Sequence, residues 1–164
     1  DVSQSSRAQL TVPTAQDMHA LGTEIGRALL AFDRAAQCVG IEGDLGAGKT
    51  TLVGGVLAAA GFEGPVRSPT YTLIEPYARA DRTIYHLDLY RLADPGEVEP
   101  LGIRDLLVPG AILLIEWPSR GAGMLPRLDL EIHIGYRAPP ESGREVSLVA
   151  GSEVGSDLLA RLLQ

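Results

Sequence analysis

The residues whose types and spacing suit chemistry best lie in one segment. Gly43-Asp44-Leu45-Gly46-Ala47-Gly48-Lys49-Thr50 fits G-x-x-x-x-G-K-[ST], the phosphate-binding loop. Its glycines permit the backbone angles that turn successive N–H groups inward, and the resulting concavity accepts phosphate oxygens. A helix following the loop aims its positive N-terminal end at the same place. In this arrangement Lys49 bridges β- and γ-phosphate oxygens, Thr50 offers its hydroxyl to Mg²⁺, and Thr51 reaches the α-phosphate. Lys49 is the single lysine among 14 Lys plus Arg in 164 residues. A compact ammonium on a flexible stem fits a closed loop better than a wide, directional guanidinium.

Such a loop needs an acid on its metal side. Glu116 ends the apolar run Ala111 to Ile115, where a buried strand would deliver it to the loop, and it could hold Mg²⁺ directly or through water. The alternative is a carboxylate that merely marks where the strand surfaces. Asp88 is the other candidate. In "TIYHLDLYR" alternation puts Ile84, His86, Asp88 and Tyr90 on one face, so Asp88 could position the attacking water or the metal's water shell. His86 reads as a structural histidine or a catalyst, the former favoured. Pro69 forces Ser68 out of the helical region and presents Thr70 on an extended segment. That segment suits a nucleotide switch or an ordinary turn equally. Trp117 either stacks on a base or a partner, or covers the sheet edge.

The elements that must carry these groups follow from periodicity. Thr14 to Asp17 resembles a capping box, and Met18, Leu21, Ile25, Leu29 and Phe32 recur at helical spacing. Cys38, Val39 and Ile41 predict a buried strand ending at Gly43. A second helix is predicted from Thr50 to Ala60, closed by Gly61. "YTLIEPY" and "TIYHLDLY" predict a hairpin across "ARADR". Asp94 and Pro95 open a short helix. "AILLIEW" reads as a strand covered on both faces, and "LDLEIHIGY" with "EVSLVAG" as another hairpin across "RAPPESGR". A last helix is expected from Ser156 to Leu163. Residues 1–9 are polar and expected to be frayed. Helices alternating with strands early and paired strands later give an α/β core with a mixed sheet.

Length suits a single domain spanning 1–164. A net charge of −7 argues against a chain that grips a nucleic-acid backbone by itself, so any RNA link passes through a partner. No apolar run approaches a membrane span and the start has no signal-peptide pattern, which predicts a cytoplasmic protein with no membrane contact. The lone Cys38 fits a reducing compartment and reads as a small buried side chain.

Four blocks, "GDLGAGKTT", "SPTYTLIEPY", "YHLDLYRLADPGEVEPLGIRDLL" and "LIEWPSRGAGMLP", resemble successive blocks of the TsaE (YjeE-like) family. The likeness runs from about Leu10 to Leu163. It implies a P-loop NTPase-like three-layer sandwich with a mixed parallel/antiparallel sheet, MgATP as ligand, and assembly with TsaD-like and TsaB-like proteins. TsaD transfers the threonylcarbamoyl group to adenosine 37 of tRNAs reading codons beginning with A. ATP hydrolysis by the TsaE-like subunit would support turnover of that complex, with tRNA contacted only indirectly. The resemblance places the loop on Gly46, Ala47, Gly48, Lys49, Thr50 and Thr51, the metal ligands on Thr50 and Glu116, and the hydrolysis-linked aspartate on Asp88. It sets the switch-like block on Ser68, Pro69 and Thr70, and the adenine side near Pro13 and Thr14. Ser119 departs from a position that is often acidic or amide-bearing, which leaves the contacts of that loop open.

Rival readings separate on specific residues. A small-molecule kinase needs an arginine-bearing lid, and no insertion supplies one. A GTPase needs Asn-Lys-x-Asp, but the chain has no asparagine and no second lysine. An interaction module shaped by nucleotide, with incidental hydrolysis, fits the acidic balance. No arginine is clearly placed as a cis finger, although Arg67, Arg91 and Arg120 are candidates.

Overall fold

In the computed structural model, residues 6–32, 35–67, 69 and 72–164 are described. Seven strands form one sheet: β1 (Arg7–Val12), β2 (Gln37–Gly43), β3 (Ile74–Arg79), β4 (Arg82–Asp88), β5 (Ala111–Glu116), β6 (Leu130–Tyr136) and β7 (Arg144–Ala150). Their spatial order is β1-β7-β6-β2-β5-β4-β3. The central pairs β6/β2, β2/β5 and β5/β4 are parallel, while β1/β7, β7/β6 and β4/β3 are antiparallel. The sheet is thus mixed, with its parallel strands in the middle where both faces are covered.

Helices α1 (Ala15–Ala31), α2 (Lys49–Ala59) and α3 (Glu153–Leu162) cover one face. Their apolar side chains, among them Met18, Ile25, Leu52, Val56 and Leu159, pack on Val39, Ile41, Ile112 and Leu114 of the sheet. The opposite face is covered by short 3-10 turns, Pro95–Leu101 and Ile103–Leu106, together with loops, whose Val98 and Ile103 meet Leu87, Leu113 and Ile115. The second outer layer is therefore built of short 3-10 turns and loops, the first of them the short helix expected after Asp94. Every residue of β5 is buried, and each Leu or Ile so placed contributes about 2 kcal/mol of burial.

Two of these arrangements place the loop. Thr14 caps α1, accepting from the Asp17 N–H at 3.1 Å, as the spacing predicted. Helices α1 and α2 then cross where neither carries a side chain. A Cβ on Gly22 would lie 2.1 Å from the Leu52 carbonyl oxygen, and one on Gly55 would lie 2.1 Å from that of His19. Only paired glycines allow this approach, and it holds α2 and the loop before it firmly on the sheet.

Some boundaries differ from expectation. Residues 7–9 belong to β1, paired with Val149 to Ser147 of β7, so the stretch expected to be frayed contains an edge strand. Its Arg, Gln and Thr alternate with small or apolar residues, a half-exposed pattern too weak to stand out in sequence. The last helix starts at Glu153 because Ser152 caps it, accepting from the Gly155 N–H at 3.1 Å. The 3-10 turn after Asp94 carries the full capping box, with Glu97 returning to the backbone of Asp94.

Candidate nucleotide site

Strand β2 ends at Gly43 and α2 begins at Lys49, so residues 44–48 form the strand-to-helix loop that the motif requires. Gly48, at φ +120°, holds a backbone angle that L side chains rarely adopt, with Met18 of α1 packed beside it. Three outward contacts hold the loop's carbonyls. Tyr136 Oη donates to Leu45 O at 3.1 Å, Arg144 donates to Gly46 O at 3.3 Å through one terminal nitrogen, and its Nε donates to Ala47 O at 3.0 Å. The Arg144 guanidinium also stacks 4.1 Å from the Tyr136 ring centre. With these carbonyls bound, and the Ala47 N–H donating to Asp44 O at 3.0 Å, the other amides of the loop are the candidate donors for an anion. Neither residue belongs to a motif, and their role became visible only when the β6–β7 hairpin was placed beside the loop.

Lys49 is 5 % exposed. Its Nζ donates to Gly43 O at 2.5 Å and Asp44 O at 3.0 Å, and lies 4.5 Å from the centre of the Trp117 ring. Burial lowers its pKa, while the charges of Glu116 and Asp88 oppose that shift. Trp117 takes a left-handed backbone angle, φ +58°, and donates its N–H to Ile41 O at 3.0 Å. The ring therefore packs on the lysine, with the Tyr90 ring 5.1 Å away, and lines the hollow beside the loop.

The acid side is assembled by strand register. In the parallel pair β4/β5, His86 stands opposite Leu114 and Asp88 opposite Glu116. Glu116, 3 % exposed, lies 3.3 and 3.5 Å from Thr50 Oγ1 through its two carboxylate oxygens. The oxygen nearer Thr50, Glu116 Oε2, is also 2.5 Å from His86 Nε2. A carboxylate only accepts, so the ring nitrogen is the donor. His86 is fully buried and touches the acid, not the open site, while its Nδ1 has no hydrogen-bond partner among the described residues. Asp88 is half-buried, and burial raises its carboxyl pKa, an effect the Tyr90 N–H, 3.0 Å from Oδ1, partly offsets.

These groups enclose two hollows that meet at the loop. One, of about 270 Å³, is lined by Lys49, Thr50, Asp88, Glu116 and Trp117. The other, of about 190 Å³, is lined by Pro13, Thr14, Ala47 and Arg144. Gly46, Gly48 and Thr51 line both. The structure therefore brings together Gly43, Asp44, Gly46, Ala47, Gly48, Lys49, Thr50, Thr51, Asp88 and Glu116, with Thr14 on the side away from the acids. Thr70 and Ser68 lie outside the described residues. Among the arginines, Arg67 is tied to β3 through Pro76 O at 2.5 Å and Glu75 at 3.6 Å, whereas Arg120 lies over the Tyr90 and Trp117 rings at 5.4 and 5.6 Å.

The donor set fits a hydrated Mg²⁺ beside a polyphosphate. It offers a hydroxyl and a carboxylate already in contact, a second carboxylate one strand away, and an ammonium lining the same hollow.

A strand, glycine loop and helix joined to a strand-end acid on a mixed α/β sheet define a P-loop nucleotide-binding protein. Known proteins narrow the class. The family described as "Threonylcarbamoyl adenosine biosynthesis protein TsaE" matches residues 12–146. The "tRNA threonylcarbamoyladenosine biosynthesis protein TsaE" of Haemophilus influenzae is 43 % identical over 150 residues, 91 % of this chain and 93 % of that protein. The Bacillus subtilis protein of the same description is 35 % identical over 126 residues, 77 % of each chain. The crystal structure of Bacillus subtilis YdiB superposes with a TM-score of 0.76 at 25 % identity, covering 96 % of this chain and 94 % of that one. The chain belongs to the TsaE family.

Proposed function

We propose that the chain is a MgATP-binding ATPase subunit that supports a TsaD-like and TsaB-like complex in threonylcarbamoylation of adenosine 37 of tRNAs reading codons beginning with A. The pathway is supported by the family's description, shared by relatives that span most of the chain. The chemistry is supported chiefly by one observation: Lys49, Thr50, Asp88 and Glu116 face a single hollow at the N-terminus of α2.

In this reading the amides of Gly46 and of residues 48–51 bind the phosphates, and Lys49 exchanges its contacts with Gly43 O and Asp44 O for phosphate oxygens. Thr50 and Glu116 would hold Mg²⁺, which would supply charge neutralisation at the phosphates. His86 fixes the Glu116 carboxylate. Asp88 orients the attacking water and, with its proton affinity raised by burial, can share that water's proton. Thr14 and the hollow beside it take the adenine side, and Thr70 serves as a switch hydroxyl.

Hydrolysis is slow in the isolated chain and faster with partners, because Arg67 is committed to β3 and Arg120 lies on aromatic rings at the rim. A net charge of −7 supports reaching tRNA only through the complex, in a cytoplasmic setting. No helix among the described residues is long and apolar enough to cross a membrane.

Titration calorimetry with MgATP and MgGTP tests the nucleotide assignment. Wild-type chain should bind MgATP, prefer it to MgGTP, and lose most of that affinity in Lys49→Ala. Tight MgATP binding by Lys49→Ala would refute the loop assignment.

A further inference from the structure

The hollows around the loop are not the largest in the molecule. A groove of about 320 Å³ lies on the other side of the 3-10 turn Pro118–Gly121, between that turn and strands β2 and β6. Its walls are apolar, formed by Pro118, Leu125, Pro126, Leu128 and Ile132. Gly40 keeps the groove open on β2, since a Cβ there would sit 2.7 Å from Leu128 Cδ1. Two carboxylates, Glu42 and Glu131, interrupt the apolar lining.

These carboxylates differ. Glu131 has His133 Nε2 at 3.8 Å and is half exposed. Glu42 Oε1 accepts from the Ser119 N–H at 3.2 Å, but its Oε2 is buried with no hydrogen-bond partner among the described residues. Lys49 acts on Glu42 through its charge without donating to Oε2. A buried carboxylate oxygen without a donor is costly, and the open groove beside it gives a cationic donor a way in. A divalent metal needs several oxygens, and no group of three or more His, Cys, Asp and Glu suited to one exists among the described residues. A nucleic acid would meet two carboxylates on a chain of net charge −7. A guanidinium suits both features, because it forks onto carboxylates and its weakly hydrated faces lie well on proline and leucine.

We infer that this groove receives an arginine side chain from a partner protein, with Glu42 as its counter-ion. The inference rests on the reading that the chain works with partners, and it names where such contact would reach the nucleotide site. Four consecutive residues join the two places: Glu116 and Trp117 line the nucleotide hollow, and Pro118 and Ser119 line the groove. Glu42 adds a second link, since it holds the Ser119 N–H and precedes Gly43, whose carbonyl takes Lys49. An arginine on Glu42 therefore bears on the loop and the acid strand together.

The test uses the whole chain, ¹⁵N-labelled, with N-acetyl-arginine methylamide as probe and its uncharged citrulline counterpart as control. Saturable amide shifts at Ser119, Gly123 and His133 are expected with the arginine probe and not with citrulline. Glu42→Gln keeps an acceptor for the Ser119 N–H and should weaken the probe at least tenfold. Ala122→Arg, at an exposed position lining the groove, should block it from within and serves should Glu42→Gln fold poorly. Absent shifts, equal shifts with citrulline, or binding unchanged in both variants would overturn the assignment. Should partners fail to stimulate wild-type turnover, the proposed function fails while this titration still decides the groove.

Discussion

His86 Nε2 lies 2.5 Å from Glu116 Oε2, and the same carboxylate reaches Thr50 Oγ1 at 3.3 Å. One oxygen, Oε2, makes both contacts, so the acid that would serve the metal is oriented by a buried residue that does not line the open site. His86→Ala is expected to reduce hydrolysis by about 10–100-fold and to raise the Mg²⁺ concentration needed for half-maximal rate. Part of its cost should also appear as about 1–3 kcal/mol of stability in urea unfolding, because Glu116 loses a buried donor. His86→Gln, which can donate to the same oxygen, should recover part of both. An unchanged Mg²⁺ dependence in His86→Ala would show that the histidine only fills space.

Lys49 should not tolerate arginine. At 5 % exposure, with both loop carbonyls and the Trp117 ring around its Nζ, the position has no room for a planar fork. Lys49→Arg should weaken MgATP binding by about 10-fold or more, the loss expected for one misplaced charge-assisted contact. Calorimetric affinity within a factor of two of wild type contradicts this.

Arg144 offers a separable defect. It binds the outward carbonyls of Gly46 and Ala47 and contributes nothing to the acid side. Arg144→Ala should raise KM for MgATP about tenfold with a smaller change in kcat, and Tyr136→Phe, losing one neutral hydrogen bond, should raise it only a few-fold. A fall in kcat at constant KM would place Arg144 in the hydrolysis machinery instead.

Much of this site was legible before the fold. The loop, its lysine and the strand-end acid are local patterns, set by backbone turns and by a buried run that surfaces at Glu116. Alternation also put His86 and Asp88 on one face, and both lie beside Glu116, His86 in contact with it and Asp88 lining the same hollow. What could not be read was which residues of other strands stand beside them. The His86–Glu116 contact depends on β4 lying next to β5, and the Arg144 contact on the predicted β6–β7 hairpin pairing through β6 with β2; neither parallel pairing leaves a mark in the sequence. Strand β1 escaped for a different reason, because an edge strand exposed along half its length lacks the apolar run that announces β5.

Cys38 gives a pH signature of the core. The thiol is 2 % exposed, and burial, reinforced by Asp129, pushes its pKa from 9.0 up to about 12. Below pH 9 it is protonated folded or unfolded and adds no pH dependence. Between 9 and 12 the unfolded chain releases the proton and the folded chain keeps it, so stability falls as pH rises, by at most about 1.4 kcal/mol per unit. Urea unfolding at pH 8.5 and 10.5 should show a steeper decline for wild type than for Cys38→Ala. Parallel declines contradict a buried, protonated thiol.

The measurement that bears most directly on the account is MgATP turnover by wild type, Glu116→Ala and Asp88→Asn, each alone and with TsaD-like and TsaB-like proteins and a substrate tRNA. The account predicts slow turnover by the wild-type chain alone, at least tenfold stimulation by the partners, and near-complete loss in both variants with MgATP binding and thermal unfolding largely preserved. Wild-type turnover indifferent to the partners, or variants that hydrolyse ATP at the wild-type rate, would contradict it.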